Sequence, residues 1–184
     1  MGKMYVVRHG ETDFNVQGRY QGNLETQLND VGKKQVGDLA KVLSKYNLDL
    51  IITSPLARTR ETAQAISQFH AVEVLIEPPF MERGVGVFQG LTREEIKMKF
   101  PDLWEKNVIK LYNDAPPGGE SIRQVEERVV RTLLELKLKY PDKNILIVTH
   151  LFIARVIYMH FNKLSHDTAS AYLLKNAGMD TYEF

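Results

Sequence analysis

Short apolar runs at residues 4–7, 48–52, 72–76, 145–148 and 171–174 are separated by amphipathic segments, and this alternation does most to restrict what the chain can fold into. Runs of four or five apolar residues suit buried strands, and a helix between successive strands lets those strands lie parallel. The pattern predicts an α/β fold, a three-layer αβα sandwich around a mostly parallel central sheet. Three helix starts carry their own chemistry: Ser54-Pro55 offers a capping hydroxyl before a first-turn proline, while Thr92 with Glu95 and Ser121 with Gln124 form capping boxes. After Ser121, the residues Ile122, Val125, Val129, Leu133, Leu136 and Tyr140 recur at helical spacing, so this helix is expected to pack on the sheet.

The 184 residues fit one domain spanning 1–184. Between residues 80 and 120 the regular pattern breaks down, with Gly84, Gly86, Gly90, Pro101 and the run Pro116-Pro117-Gly118-Gly119 around two short helical patterns. An insertion of this kind between strands is expected to serve as a lid or substrate wall. Twenty-four Lys and Arg against 23 Asp and Glu leave a net charge of +1. That is too little to build the field that nucleic-acid binding needs, so no nucleic-acid partner is expected. The chain has no cysteine, which excludes thiolate nucleophiles and zinc–thiolate sites. No apolar stretch approaches the ~18 residues that span a bilayer, so no membrane partner is expected. A strand-like run from Met4 leaves no room for a cleavable signal, and a cytoplasmic location is expected. A homodimer is compatible with all of this.

In an open parallel sheet, ligands bind outside the carboxyl ends of the strands, so the polar residues that end apolar runs are candidates for function. The first run ends in Arg8-His9-Gly10, the second in Thr53-Ser54 with Arg58 one turn into the next helix, and the fourth in Thr149-His150. Two imidazoles and two guanidiniums are thereby expected on one edge. Such a set suits a phosphate, because guanidinium binds its oxygens in bidentate fashion and Gly10 permits close backbone approach. Phosphoryl transfer is catalysed mainly by positioning and charge stabilisation, and a neutral imidazole can serve as nucleophile.

Arg8-His9-Gly10-Glu11-Thr12 resembles the signature of the histidine phosphatase superfamily, also called phosphoglycerate-mutase-like. The likeness continues in family order. Asn15, Gln21 and Gly22 sit where the family places phosphate and substrate contacts, together with Thr12. Leu28 to Gly32 is similar to its L-T-x-x-G helix start, and the segment from Thr53 to Ala63 to its second phosphate-binding element. Residues 82–90 follow E-x-x-x-G-x-x-[EQ]-G, residues 117–121 follow P-x-G-E-S, and Val148-Thr149-His150 carries the second histidine. The resemblance implies that His9 is the phosphorylated nucleophile, that Arg8, Arg58 and His150 hold the transferring phosphoryl group, and that Glu82 is the acid and then the base. It implies no metal and no cofactor, and a small phosphorylated metabolite as the partner. Glu11 is read as an orienting residue, and His70, His160 and His166 are assigned no role.

Three departures bear on the substrate. Leu151 and Phe152 follow His150 where the family usually has glycine, putting bulk near the phosphate pocket. Gln27 stands where many members have proline, and Phe88-Gln89-Gly90 replaces Trp-Glu-Gly. Glu82-Arg83 is locally closer to the mutases, in which the arginine helps hold a carboxylate. Against this, residues 107–116 lack the adjacent arginines of mutases, and the chain ends without their longer tail. Less closure over the site favours water as acceptor, so a phosphatase is expected, with phosphoglycerate mutase-type transfer as the alternative.

Overall fold

The computed structural model describes residues 2–183, so Met1 and Phe184 of the expected domain lie outside the described residues. The strands are β1 (Lys3–Arg8), β2 (Leu50–Thr53), β3 (Val74–Ile76), β4 (Ile145–Thr149) and β5 (Met179–Glu183). The helices are α1 (Asp13–Val16), α2 (Asp30–Leu43), α3 (Ala57–Ser67), α4 (Arg93–Lys99), α5 (Pro101–Glu105), α6 (Ile122–Lys139) and α7 (Leu151–Asn162). One sheet runs in the order β3-β2-β4-β1-β5, parallel throughout except for β5, which lies antiparallel to β1. The chain leaves β1 towards β2 on one side and leaves β4 towards β5 on the other. The paired ends of β1 and β4 therefore open a crevice of the kind in which such sheets bind ligands.

Alternation along the strands divides the core into two faces. Met4, Val6, Leu50, Ile52, Ile145 and Ile147 pack against Val125, Val129 and Leu133 of α6 and against Ile153 and Ile157 of α7. Tyr5, Val7, Ile51, Leu146 and Val148 pack against Ala40 and Leu43 of α2 and against Ala63 and Ile66 of α3. These are the three layers expected from the sequence. The insertion has a smaller core of its own, in which Val85, Phe88, Ile96 and Val108 are buried.

Two expectations are corrected. Residues 171–174 are not a strand: a 3-10 turn covers Thr168–Ala171 and the chain then runs on irregularly. Their carbonyls are taken by side chains instead of a ladder, with Arg155 Nη2 donating to Tyr172 O at 3.1 Å and Arg8 Nη1 to Leu174 O at 2.8 Å. The fifth strand is Met-Asp-Thr-Tyr-Glu, a half-buried edge without the apolar run that marks the others. The other correction concerns Ser54. Helix α3 begins at Ala57 behind Leu56, two residues beyond Ser54, whose hydroxyl accepts from the Leu56 amide at 3.4 Å, while the Ala57 amide donates to Glu25 Oε2 at 3.0 Å. Both capping boxes form as expected, at Thr92 with Glu95 and at Ser121 with Gln124.

Candidate active site

His9 directly follows β1 and is 3% exposed. Its Nδ1 lies 2.7 Å from the Gly10 carbonyl, which can only accept, so Nδ1 carries the proton and Nε2 keeps its lone pair. Burial pushes the imidazole well below its usual pKa, and the nearby Arg58 and Arg8 guanidiniums add to the effect. His9 is therefore neutral at neutral pH. Its backbone is pinned by the 176–178 loop: Asn176 Nδ2 and the Ala177 amide both donate to His9 O, and the Arg8 amide donates to Gly178 O.

His150 follows β4 and is fully buried, its ring centre 5.3 Å from that of His9. Its Nε2 lies 2.8 Å from Ser54 Oγ, and its Nδ1 is buried without a partner among the described residues. Burial, then Arg58, His9 and Arg8, holds its pKa well below the usual value. Arg58 is also fully buried. It donates from Nη2 to Gly22 O at 2.8 Å and from Nη1 to Leu24 O at 2.8 Å and Thr26 Oγ1 at 3.2 Å. Desolvation lowers its pKa to about 10, which leaves it charged at neutral pH. Gly22 offers that carbonyl from a left-handed conformation, φ +52°, which favours glycine.

Glu82 enters from the insertion. Its Oε1 accepts from the Arg83 amide at 2.8 Å and its Oε2 from the Phe152 amide at 3.3 Å. Burial raises its pKa, a shift opposed by those two amides and by Arg58 and Arg8. The carboxyl and the His9 imidazole are thus displaced in opposite directions, the arrangement that separates an acid from a nucleophile. Glu120 and Arg128 hold the segment in place. Glu120 Oε2 accepts from the Gly84 amide at 2.9 Å and pairs with Arg128, which also donates to the carbonyls of Pro79 and Glu82. Thr149 Oγ1 donates to Phe80 O at 2.9 Å, joining the end of β4 to the same segment.

Arg8, His9, Asn15, Gln21, Gly22, Arg58, Glu82, Arg83 and Leu151 all line one cavity of about 710 Å³. His150 lies behind that lining, against His9. Thr12 is fully buried and does not reach the cavity; it caps α1 in a capping box with Asn15. Gly10 makes its close approach to α2 and not to the cavity, since a Cβ there would sit 2.6 Å from Gly32 O. Glu11 ties the loop to the same helix by accepting from Asn29 Nδ2 at 3.0 Å. Sequence reasoning missed Ser54 as the partner of His150, Asn176 beneath His9, and Arg155 and His166 in the cavity wall, whereas Phe152 lines it beside Leu151, as expected of bulk near the pocket. A serine at the end of an apolar run was the only local signal, and it read equally well as a helix cap.

The chain matches the model of the histidine phosphatase superfamily (branch 1) over residues 4–184. It is 36% identical over 158 residues to phosphoserine phosphatase 1 of Hydrogenobacter thermophilus, covering 86% of this chain and 75% of that protein. It is also 30% identical over 186 residues to a 2,3-bisphosphoglycerate-dependent phosphoglycerate mutase of Cytophaga hutchinsonii, covering 98% and 87%. Among solved structures, a mycobacterial glucosyl-3-phosphoglycerate phosphatase in complex with VO3 superposes with a TM-score of 0.88 at 28% identity, covering 98% and 90% of the two chains. The chain belongs to the histidine phosphatase superfamily and is an enzyme of that family.

Proposed function

We propose that the enzyme is a metal-independent phosphatase that hydrolyses small-molecule phosphomonoesters through a phosphohistidine at His9. The observation that carries this reading is the neutral His9 imidazole, with Nδ1–H held by Gly10 O, Nε2 unblocked, and Arg8 and Arg58 beside it. Nε2 attacks phosphorus while the ester P–O bond breaks. Glu82, whose pKa burial raises, protonates the leaving oxygen. In the second half, the Glu82 carboxylate takes a proton from water as the water attacks phosphorus, the P–N bond breaks, and inorganic phosphate leaves. Arg8 and Arg58 neutralise the charge of the transferring group, and the unpaired Nδ1 of His150 adds a donor. Such a cationic cradle supplies the charge that a divalent ion would otherwise bring. Asn15, Gln21 and Gly22, which line the same cavity, meet the substrate, and residues 80–120 form the lid-like wall that selects it. The partner is a small phosphorylated metabolite. A cytoplasmic location fits, and among the described residues no helix is long and apolar enough to cross a membrane.

The test is hydrolysis of p-nitrophenyl phosphate in the presence of EDTA. Wild type is expected to keep its rate under chelation, and His9→Ala to lose about 10⁴-fold or more, as expected when a covalent nucleophile is removed. Activity that survives His9→Ala, or disappears with EDTA, removes the mechanism. A mutase reading is favoured by one feature, the cavity-lining Arg83 whose Nη2 has no partner among the described residues. It requires conversion of 3-phosphoglycerate to 2-phosphoglycerate, stimulated by 2,3-bisphosphoglycerate, faster than phosphate is released.

A further inference from the structure

The cavity wall carries more positive charge than one phosphoryl group needs. Beyond Arg8 and Arg58 it includes Arg19, Arg83, Arg93, Lys110 and Arg155, against the carboxylates of Glu82 and an exposed Asp167. Arg19 is matched by Glu95 at 2.6 Å, but among the described residues Arg83, Arg93, Lys110 and Arg155 form no ion pair.

Two of these cations are arranged around the ring of Phe152, the second residue after His150. Arg83 Cζ lies 5.3 Å and Arg155 Cζ 5.7 Å from the ring centre, and the His166 ring centre lies 6.3 Å away. An aromatic face attracts both guanidiniums, although their like charges repel. Each is also partly anchored by backbone carbonyls. Arg83 donates from Nε to Glu120 O and from Nη1 to Ile109 O, and Arg155 donates from Nη2 to Tyr172 O. What remains, among the described residues, are two buried guanidinium nitrogens without an acceptor, Arg83 Nη2 and Arg155 Nε, and beside them His166 Nδ1 without a partner. Arg83 is only 3% exposed. An unsatisfied buried donor is costly, more so when charged. Around one ring, on the wall of a cavity, guanidinium donors of this kind suit an anion.

The position of this cluster is informative. The Phe152 amide donates to Glu82 Oε2, and Arg83 follows Glu82 in the chain. Because Glu82 serves the leaving oxygen, the cluster lies on the side of the leaving group and not on the side of the phosphoryl cradle. We propose that Arg83, Arg155 and His166, positioned by Phe152, form a second anion subsite, and that the substrates are compact phosphomonoesters whose leaving group carries a second anionic group, carboxylate or phosphate. This rests on the phosphatase reading. It adds Arg155 and His166 as specificity-determining residues and makes Phe152 a positioning residue.

The test compares phosphate release from three substrates that differ only at the tail: glycerol 3-phosphate, 3-phosphoglycerate and glycerol 1,3-bisphosphate. Wild type is expected to favour at least one anionic tail by about tenfold or more in kcat/KM, the scale of a charge-assisted hydrogen bond. Which tail wins separates a carboxylate site from a phosphate site. Arg155→Gln and Phe152→Leu are each expected to shrink that preference about tenfold, through KM for the anionic-tailed substrate, and Arg155→Lys to restore part of it. The subsite is refuted if wild type accepts the neutral tail equally well. It is also refuted if Arg155→Gln and Phe152→Leu lower all three substrates alike, as a purely structural role would. His9-dependent hydrolysis of p-nitrophenyl phosphate with no tail preference overturns the subsite alone, whereas loss of that dependence overturns the phosphatase reading itself.

Discussion

The strand ends and the 80–120 insertion are built to different standards. At the strand ends, His9, Arg58 and His150 are buried and fixed by at least one hydrogen bond each, with two layers of helices behind them. The insertion is made of 3-10 turns and two helices of seven and five residues around four buried apolar side chains. A nucleophile and its cationic cradle must hold their positions within a fraction of an ångström, which packed strands provide. A wall that selects among leaving groups can be assembled from shorter, more easily altered pieces. Glu82 belongs to the insertion by sequence but is tied to the sheet side through the Phe152 amide and through Thr149, which bonds to Phe80.

Substitution on each side tests this division. Arg58→Met is expected to have the largest effect of those proposed next, lowering kcat about 100-fold by removing one fixed charge from the cradle. It also leaves the Gly22 and Leu24 carbonyls without their donor, at about 1–3 kcal/mol for each that stays buried, so the melting temperature falls. The sign for pH follows from His9, which in the proposed mechanism must be unprotonated to attack. Arg58 lowers the pKa of His9, so its removal raises that pKa and moves the acid limb of kcat/KM to higher pH. A pH–rate profile showing no movement, or a variant altered mainly in KM, would place Arg58 with the selecting wall.

Phe88→Ala addresses the other region. Emptying a buried phenylalanine site costs about 3–5 kcal/mol, and here most of it should fall on the insertion's own small core. Limited proteolysis is expected to cut faster within residues 80–120, with KM rising more than kcat falls. Equal losses in both would mean that the insertion and the sheet edge are one mechanical unit. Ser54→Ala is expected to have the smallest effect. Losing the 2.8 Å contact to His150 frees that imidazole to change tautomer, and kcat should drop about tenfold with KM little changed, consistent with one hydrogen bond. An unchanged kcat would show that packing alone orients His150.

Much of this was legible in one dimension. Strand alternation and the polar residues that end the apolar runs placed Arg8, His9, Arg58 and His150 on one edge, because those signals are local and the parallel sheet converts them into a cluster. Thr92 and Ser121 began their helices as expected for the same reason, since a capping box closes within four residues. Other features had no local signal. Strand β5 lacks an apolar run and exists because β1 offers it an edge. Residues 171–174 have such a run, yet two of their carbonyls are claimed by arginines from β1 and α7.

The sequence by itself determined the layers and the sheet edge on which Arg8, His9, Arg58 and His150 gather, since periodicity and strand-end polarity act over a few residues. Only the tertiary structure decided that Ser54 meets His150, 96 residues away, and that the bulky Phe152 gathers Arg83, Arg155 and His166 around its ring. The physical reason is that a hydroxyl, a guanidinium or an imidazole bonds with whatever packing brings within about 3 Å, and its neighbours in sequence do not encode that distance.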